Sequence, residues 1–283
     1  MDVHTTAFAR TARQVSRTVG PMSSTEWGIG VPGALGPEAI GTLAALAEQS
    51  GYQSYWFNCV APDADPAALI NAALASTEGI DIGVGVIPLD GYPPAMLAAS
   101  LHGGRADDSR VVLGVGSGSA RRGALERVSD GIARLRDALP RARIAIGAKR
   151  PRMVALGAEI ADGLLFSMLR PDEAQVVAHQ LHAAGGRAAA YTYHRVAVDP
   201  GALDRVHSEM VSYGVWQRDA DVPSGPDLLG TALPSRSEVR NLLAADLAAF
   251  PDDWLPVLRP LPSQPSELDE WRDLFNVLAP VAR

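Results

Sequence analysis

The chain has 283 residues, 47% of them hydrophobic, and a formal net charge of −7. This length suits one domain with a large core, and the acidic balance argues against nucleic acid as a general partner. No apolar run approaches the roughly 18 residues that a membrane span needs. The single cysteine, Cys59, excludes an internal disulfide and suits a reducing compartment. We therefore expect a soluble, cytoplasmic protein.

Apolar runs and amphipathic stretches alternate along the chain, which is typical of strand–helix repeats. Residues 1–25 show no apolar period, so we expect a disordered extension there and one folded domain over residues 26–283. The predicted strands are 27–32, 53–57, 80–87, 111–115, 143–147, 164–166, 188–198 and 254–258. The predicted helices are 37–49, 65–76, 93–101, 125–135, 153–159, 172–184, 202–213, 237–250 and 267–278, with a Pro- and Gly-rich loop over 223–230.

About eight strand–helix units in unbroken alternation predict an α/β fold, a (β/α)8 TIM barrel. An open Rossmann-type sheet is the alternative, but such a sheet usually ends after about six strands. Gly28, Gly30 and Gly33 formally match the dinucleotide-binding fingerprint, yet no strand precedes them. We therefore set the fingerprint aside. His179 and His182 have no visible third ligand, so we predict no metal site.

The fourth predicted strand leads into a loop of alternating glycine and serine. Gly114, Gly116 and Gly118 let the backbone approach a ligand closely, and Ser117 and Ser119 lie among them. A basic helix start follows, so the whole stretch predicts an anion site at a helix N-terminus.

Positive charge concentrates in one sector of this acidic chain. The stretch from Arg105 to Arg152 holds 12 basic and 5 acidic residues, and Lys149 is the only lysine in the chain. Such a sector favours a polyanionic small molecule as ligand.

Four stretches resemble the bacterial luciferase-like monooxygenase superfamily. They are 47–56 (AEQSGYQSYW), 82–89 (IGVGVIPL), 110–118 (RVVLGVGSG) and 151–163 (PRMVALGAEIADG). The resemblance covers nearly the whole predicted domain. It implies a TIM-barrel oxidoreductase that uses either the deazaflavin coenzyme F420 or FMN, bound across the carboxyl ends of the strands.

The resemblance also implies cofactor-binding residues. Deazaflavin-dependent members carry a non-proline cis peptide in the third strand, where a bulge backs the central ring, and the matching bond here is Gly85–Val86. The loop after the fourth strand contacts the cofactor in the family, which implicates Ser117, Gly118 and Ser119.

At three further positions the chain departs from the family pattern. Lys149 and Arg150 stand before Pro151, where relatives often carry glycine in the loop that holds the tail phosphate. Asn58 stands at the end of the second strand, where relatives commonly carry an Asp or His that works at the ring. We expect Asn58, Lys149 and Arg150 to bind the cofactor at these positions. Asn58 can form hydrogen bonds but cannot titrate, so the resemblance assigns no catalytic residue.

A third departure concerns the lid over the substrate. The long insertion that many relatives carry between the fourth helix and the fifth strand is missing, which predicts a short form of the barrel with a reduced lid.

We expect a homodimer that transfers hydride between F420 and an unidentified small organic substrate. The alternatives are an FMN-dependent monooxygenase or reductase, and a flavin-binding paralogue without turnover.

Overall fold

The computed structural model describes residues 26–59, 65–103, 108–119, 122–183, 185, 188–199, 201–212, 230–233, 235–236 and 239–280. The predicted extension over 1–25 lies outside these residues. Strands β1 to β9 are Gly28–Pro32, Ser54–Asn58, Asp81–Pro88, Val111–Gly116, Arg143–Gly147, Gly163–Ser167, Ala189–Val198, Gly230–Leu233 and Trp254–Pro260. Helices α1 to α9 are Gly36–Gln49, Pro66–Ala75, Pro94–Gly103, Ala124–Ala138, Pro151–Ile160, Pro171–Ala183, Ala202–Ser212, Val239–Leu247 and Leu268–Val277.

Eight of the strands close into a parallel barrel. The order runs from β1 through β7 to β9, and β9 pairs back with β1. These eight are the strands predicted from the sequence, so the TIM barrel is confirmed. Only four residues, 139–142, join α4 to β5, which confirms the short form without the long insertion.

The ninth strand corrects the prediction of a loop up to residue 230. Gly230 is already part of β8, and among the described residues β8 pairs with the last residues of β7 alone, Arg195 to Val198. The earlier residues of β7 pair with β6, so β8 continues that edge beyond the end of the barrel. A strand of four residues with one partner carries too little apolar pattern to be recognised from the sequence.

A buried histidine ties β8 to its neighbours. The His194 ring on β7 lies 2.7 Å from the Thr231 hydroxyl and 3.3 Å from an Asp246 carboxylate oxygen on α8. Thr231 also donates a hydrogen bond to Asp246. Burial alone would raise the pKa of Asp246, but the hydrogen bonds and charge of these partners lower it below its ordinary value. His194 is thus a structural histidine on the outer side of the barrel.

Two apolar layers hold the barrel together. The outer layer lies between strands and helices, where a continuous cluster includes Ile29, Leu113 and Phe275. The inner layer fills the barrel with alternate residues of the strands: Trp56, Val112, Ala145, Leu165, Tyr191, Tyr193 and Val257. Gly83 faces the Trp56 ring so closely that a Cβ there would overlap it. A packed interior leaves the ends of the barrel as places for function.

The amino-terminal face of the barrel is closed by bonds between distant parts of the chain. The Glu48 carboxylate at the end of α1 accepts hydrogen bonds from the backbone N–H groups of residues 78, 79 and 80, at 2.6 to 3.1 Å. Arg110 donates to the carbonyl oxygens of Leu74, Thr77 and Ile80. Burial alone would raise the pKa of Glu48, but these backbone donors and Arg110 hold it below its ordinary value.

Asp162, directly before β6, forms similar contacts at the amino-terminal face. One carboxylate oxygen accepts a hydrogen bond from Ile144 N–H and the other from Arg136, both at 2.8 Å.

In the described part of the chain, no helix is both long and apolar enough to cross a membrane.

Candidate functional site at the barrel mouth

The carboxyl ends of the barrel strands meet at one mouth, and two clefts open there. The first, which we call the α5 cleft, is lined by Ser117, Gly118, Gly147 and the starts of α4 and α5. The second, which we call the arginine cleft, is lined by Asn58, Arg195, Arg259 and one face of α7. Their volumes are about 730 and about 570 Å³, sizes typical of ligand sites.

The α5 cleft has the chemistry of an anion site. Helix α5 begins with Pro151, and the preceding Arg150 is extended and gives the helix no side-chain cap. Helix α4 begins after Gly123, in the left-handed region with φ 67°, and it too lacks a side-chain cap. Helix starts without caps present backbone N–H groups and a positive dipole end. Lys149 and Arg150, both exposed, add two cations at the same place.

These residues fit the phosphate of a flavin or deazaflavin coenzyme. A phosphate needs hydrogen-bond donors and positive charge, and the α5 cleft offers both from one short segment. Ser117, Gly118, Lys149 and Arg150, all predicted cofactor residues, come together here.

The third strand carries the predicted irregularity. The Gly85–Val86 peptide bond is cis, as the resemblance implies, and the register with β4 shifts between Gly85 and Ile87. The Val86 side chain lies against Gly116 and Gly147, where an added Cβ would come within 2.7 Å of a Val86 methyl group. Across the barrel, the Tyr193 hydroxyl donates a 3.0 Å hydrogen bond to the Gly85 carbonyl.

Ser119 is separated from the other loop residues by an internal contact. Its backbone N–H and its hydroxyl both donate to the Asp90 carboxylate, at 2.9 and 3.0 Å. Gly118 has a φ of 76° and lies against the same carboxylate, so a side chain there would clash. Ser119 therefore does not line the α5 cleft, and its hydrogen bonds to Asp90 fix the turn after β4.

Asn58 also lies apart from the α5 cleft. Its Oδ1 accepts a 3.0 Å hydrogen bond from Gly33 N–H, which ties the end of β2 to the turn after β1. The rest of the residue faces the arginine cleft. The adjacent Cys59 points away, into the outer core, and burial raises the pKa of its thiol to about 11. The thiol is therefore protonated at neutral pH.

Two arginines at the mouth were missed by the sequence analysis. Arg195 on β7 and Arg259 on β9 are 3% and 7% exposed, and they are partners in the register of the two strands. Both continue the inward-facing alternation, after Tyr191 and Tyr193 on β7 and after Val257 on β9. In both strands every second residue faces inward, and in both strands this series ends in an arginine. That alternation in the sequence is the signal that could have identified the pair.

The basic sector between Arg105 and Arg152 does not act as one unit. Arg110 and Arg136 bind structural partners at the amino-terminal face. Arg143 lies there too, 2.7 Å from the Asp81 carboxylate. At the mouth, Lys149, Arg150 and Arg152 line the α5 cleft, and Arg127 donates a 3.4 Å hydrogen bond to the Ser117 carbonyl. The polyanionic ligand expected from the whole sector can therefore use only the part of the sector that lies at the mouth.

Comparisons with known proteins agree with this architecture. A sequence model of the luciferase-like monooxygenase family matches residues 17–139, through the end of α4. The match confirms the resemblance carried by the strand motifs. Together with the barrel, the match shows that the chain is similar to the luciferase-like oxidoreductases and monooxygenases.

Solved structures of similar fold include enzymes with either cofactor. The monooxygenase RslO1 from Streptomyces bottropensis is 16% identical, with a TM-score of 0.61 over 90% of this chain and 97% of its own. An F420-dependent secondary alcohol dehydrogenase, in complex with an F420–acetone adduct, is 14% identical, with a TM-score of 0.59 over 89% and 99%. The oxygenating constituent of 3,6-diketocamphane monooxygenase from Pseudomonas putida, in complex with FMN, is 14% identical, with a TM-score of 0.53 over 90% and 97%. At such identities the likeness concerns the fold alone.

Proposed function

We propose that the protein is an oxidoreductase that transfers hydride between coenzyme F420 and a small organic substrate. The observation that carries the proposal is the α5 cleft, where Lys149, Arg150 and two helix starts without side-chain caps meet beside the irregular third strand. When bound, the coenzyme would supply a carbon centre that accepts or releases hydride.

The chain's own residues would bind and orient the coenzyme. Lys149 and Arg150 would contact the anionic tail, with Ser117 and Gly118 beside it. The Val86 side chain, between the mouth and Gly147, would back the ring, and Tyr193 would fix the Gly85 carbonyl at that level. Hydride transfer depends first on the distance and alignment of the two carbons, so a site without an acid or base at Asn58 can still perform it.

FMN is the second candidate, because the cations of the α5 cleft lie within one short segment and suit a single phosphate equally well. F420 is preferred because its phosphodiester and polyglutamate tail carry more negative charge, which the cations at 149 and 150 would attract more strongly. A flavin-binding paralogue without turnover would bind the same ligand with the same residues.

Equilibrium titration of the purified full chain with F420 and with FMN, in parallel and at low salt, tests the proposal. We expect saturable binding of both, with F420 binding more tightly. Tighter binding of FMN would transfer the proposal to FMN. Failure of both to bind would overturn it.

We also propose that the protein is a cytoplasmic homodimer, because luciferase-like proteins commonly pair through barrel helices. Sedimentation velocity at micromolar concentration should give a dimer, and a monomer alone would refute this part.

A further inference from the structure

The arginine cleft has no role in the proposed binding of the coenzyme. At its floor, however, two arginine side chains are buried side by side, which lowers the stability of the fold. Arg195 and Arg259 are register partners on adjacent strands, and both are almost fully buried. Like charges on directly opposed residues destabilise a sheet, and burial of each charge adds to the cost. Two apolar residues at these inward positions would form a more stable barrel end.

Both guanidinium groups are held in fixed positions. Arg195 Nε lies 3.0 Å from a Glu209 carboxylate oxygen on α7. Arg259 donates a 3.0 Å hydrogen bond to the Val31 carbonyl, and its guanidinium carbon lies 5.0 Å from the centre of the Tyr193 ring. Gly30 leaves the room for this placement, since an added Cβ would come within 3.0 Å of Arg259. Fixed, planar donors of this kind suit an oxyanion.

The cleft reaches these arginines and carries a small excess of positive charge. Its lining contains the guanidinium groups of Arg195, Arg205 and Arg259 and the carboxylates of Asp204 and Glu209. Three cations and two anions leave one net positive charge at neutral pH. One excess charge suits a monoanion such as a carboxylate better than a doubly charged phosphate.

The arginine pair also lies next to the third strand. Arg259 packs on the Tyr193 ring, and the hydroxyl of the same tyrosine donates to the Gly85 carbonyl. An anion on the arginines would therefore lie one side chain away from the irregular strand against which the ring is proposed to bind.

From this arrangement we infer that the arginine cleft binds the carboxylate of a small organic acid, and that such acids are the substrate class of the enzyme. The assignment of a substrate rests on the proposed function, whereas the anion site itself does not. Arg195 and Arg259 bind the carboxylate, and the rest of the acid extends toward the Val86 side of the mouth.

Benzoate and benzamide are a suitable pair of probes, because they have nearly the same shape and differ in charge. Ligand-observed NMR on the full chain should show benzoate binding at least about tenfold more tightly than benzamide, the effect of one charge-assisted contact. Benzoate should also bind more tightly than inorganic phosphate. Equal binding of benzoate and benzamide, or a preference for phosphate, would overturn the inference.

Two matched pairs of variants assign the binding to this cleft. Arg259→Lys keeps the charge and loses the planar fork, and should weaken benzoate binding about tenfold. Arg272→Lys, on the exposed side of α9, is its control. Ser208→Trp should block the cleft without changing a buried residue, while Val211→Trp, on the same helix outside the cleft lining, should not. If Arg259→Lys does not fold, the tryptophan pair still decides, and unchanged benzoate binding in Ser208→Trp would refute the site.

Repeating the benzoate titration with F420 present separates this inference from the proposed function. Benzoate should bind without displacing F420, because the two ligands use different clefts. Displacement of F420 by benzoate would contradict the inference. If benzoate binds through Arg259 and F420 does not bind at all, the anion site stands and the proposed function fails. If F420 binds and benzoate binds no more tightly than benzamide, the coenzyme site of the proposed function stands and the anion site fails.

Discussion

The two ends of the barrel use similar side chains for opposite purposes. At the amino-terminal face, the charged groups of Glu48, Arg110 and Asp162 bind backbone groups of neighbouring segments. At the mouth, Lys149 and Arg150 are exposed beside two helix starts that no side chain caps. Charges satisfied by the backbone stabilise the fold, whereas exposed charges beside backbone donors are available to a ligand. The difference explains why the basic sector cannot be interpreted from charge alone.

Loss of the Glu48 carboxylate should give the largest effect. In Glu48→Gln, three backbone N–H groups lose a charged acceptor, so the free energy of unfolding should fall by about 2 kcal/mol. Urea denaturation measures this change. Glu159→Gln, on an exposed position near the end of α5, should change the free energy of unfolding by less than about 0.5 kcal/mol. Equal effects of the two variants would contradict the structural role of Glu48.

The same carboxylate predicts a pH dependence at the amino-terminal face. Because the pKa of Glu48 is lowered in the folded protein, its stabilising effect is complete above the ordinary pKa of a glutamate. The effect is lost as the pH falls through the lowered pKa of the folded state. The gap in stability between the natural protein and Glu48→Gln should therefore close in acid, and a gap that widens there would refute the assignment.

The mouth could be predicted from the sequence only in part. Most of the barrel strands are short apolar runs and β7 alternates loosely, which made the strands recognisable. The Gly–Ser loop and the residues before Pro151 follow two of these strands, so their common position at the carboxyl end was predictable. The arginine pair was not, because 63 residues separate Arg195 from Arg259 in the chain. Only the closure of the barrel makes β7 and β9 neighbours. Likewise, sequence position alone could not assign Asn58 to one cleft and Ser117 to the other.

Removal of the exposed cations should affect binding rather than stability. The double variant Lys149→Gln, Arg150→Gln should bind F420 about tenfold more weakly, the loss expected for one charge-assisted contact. The salt dependence of F420 binding should become flatter, and FMN binding should change less. The free energy of unfolding should remain that of the natural protein.

A matched control for this variant is Arg134→Gln with Arg272→Gln. It removes the same charge from exposed positions that line neither cleft. The control should leave F420 binding unchanged at moderate salt. Tighter binding by the Lys149→Gln, Arg150→Gln variant would mean that the two cations obstruct the site.

Hydrogen exchange of the full chain, with and without saturating F420, tests the contrast between the two ends most directly. Coenzyme bound at the mouth should slow the exchange of backbone N–H groups in peptides covering 117–119, 122–126 and 147–153. Peptides covering residues 78–80, whose N–H groups already donate to Glu48, should exchange at the same rate in both samples. Protection confined to the amino-terminal face, or none at 147–153 when F420 is bound, would contradict the assignment of the mouth as the cofactor site.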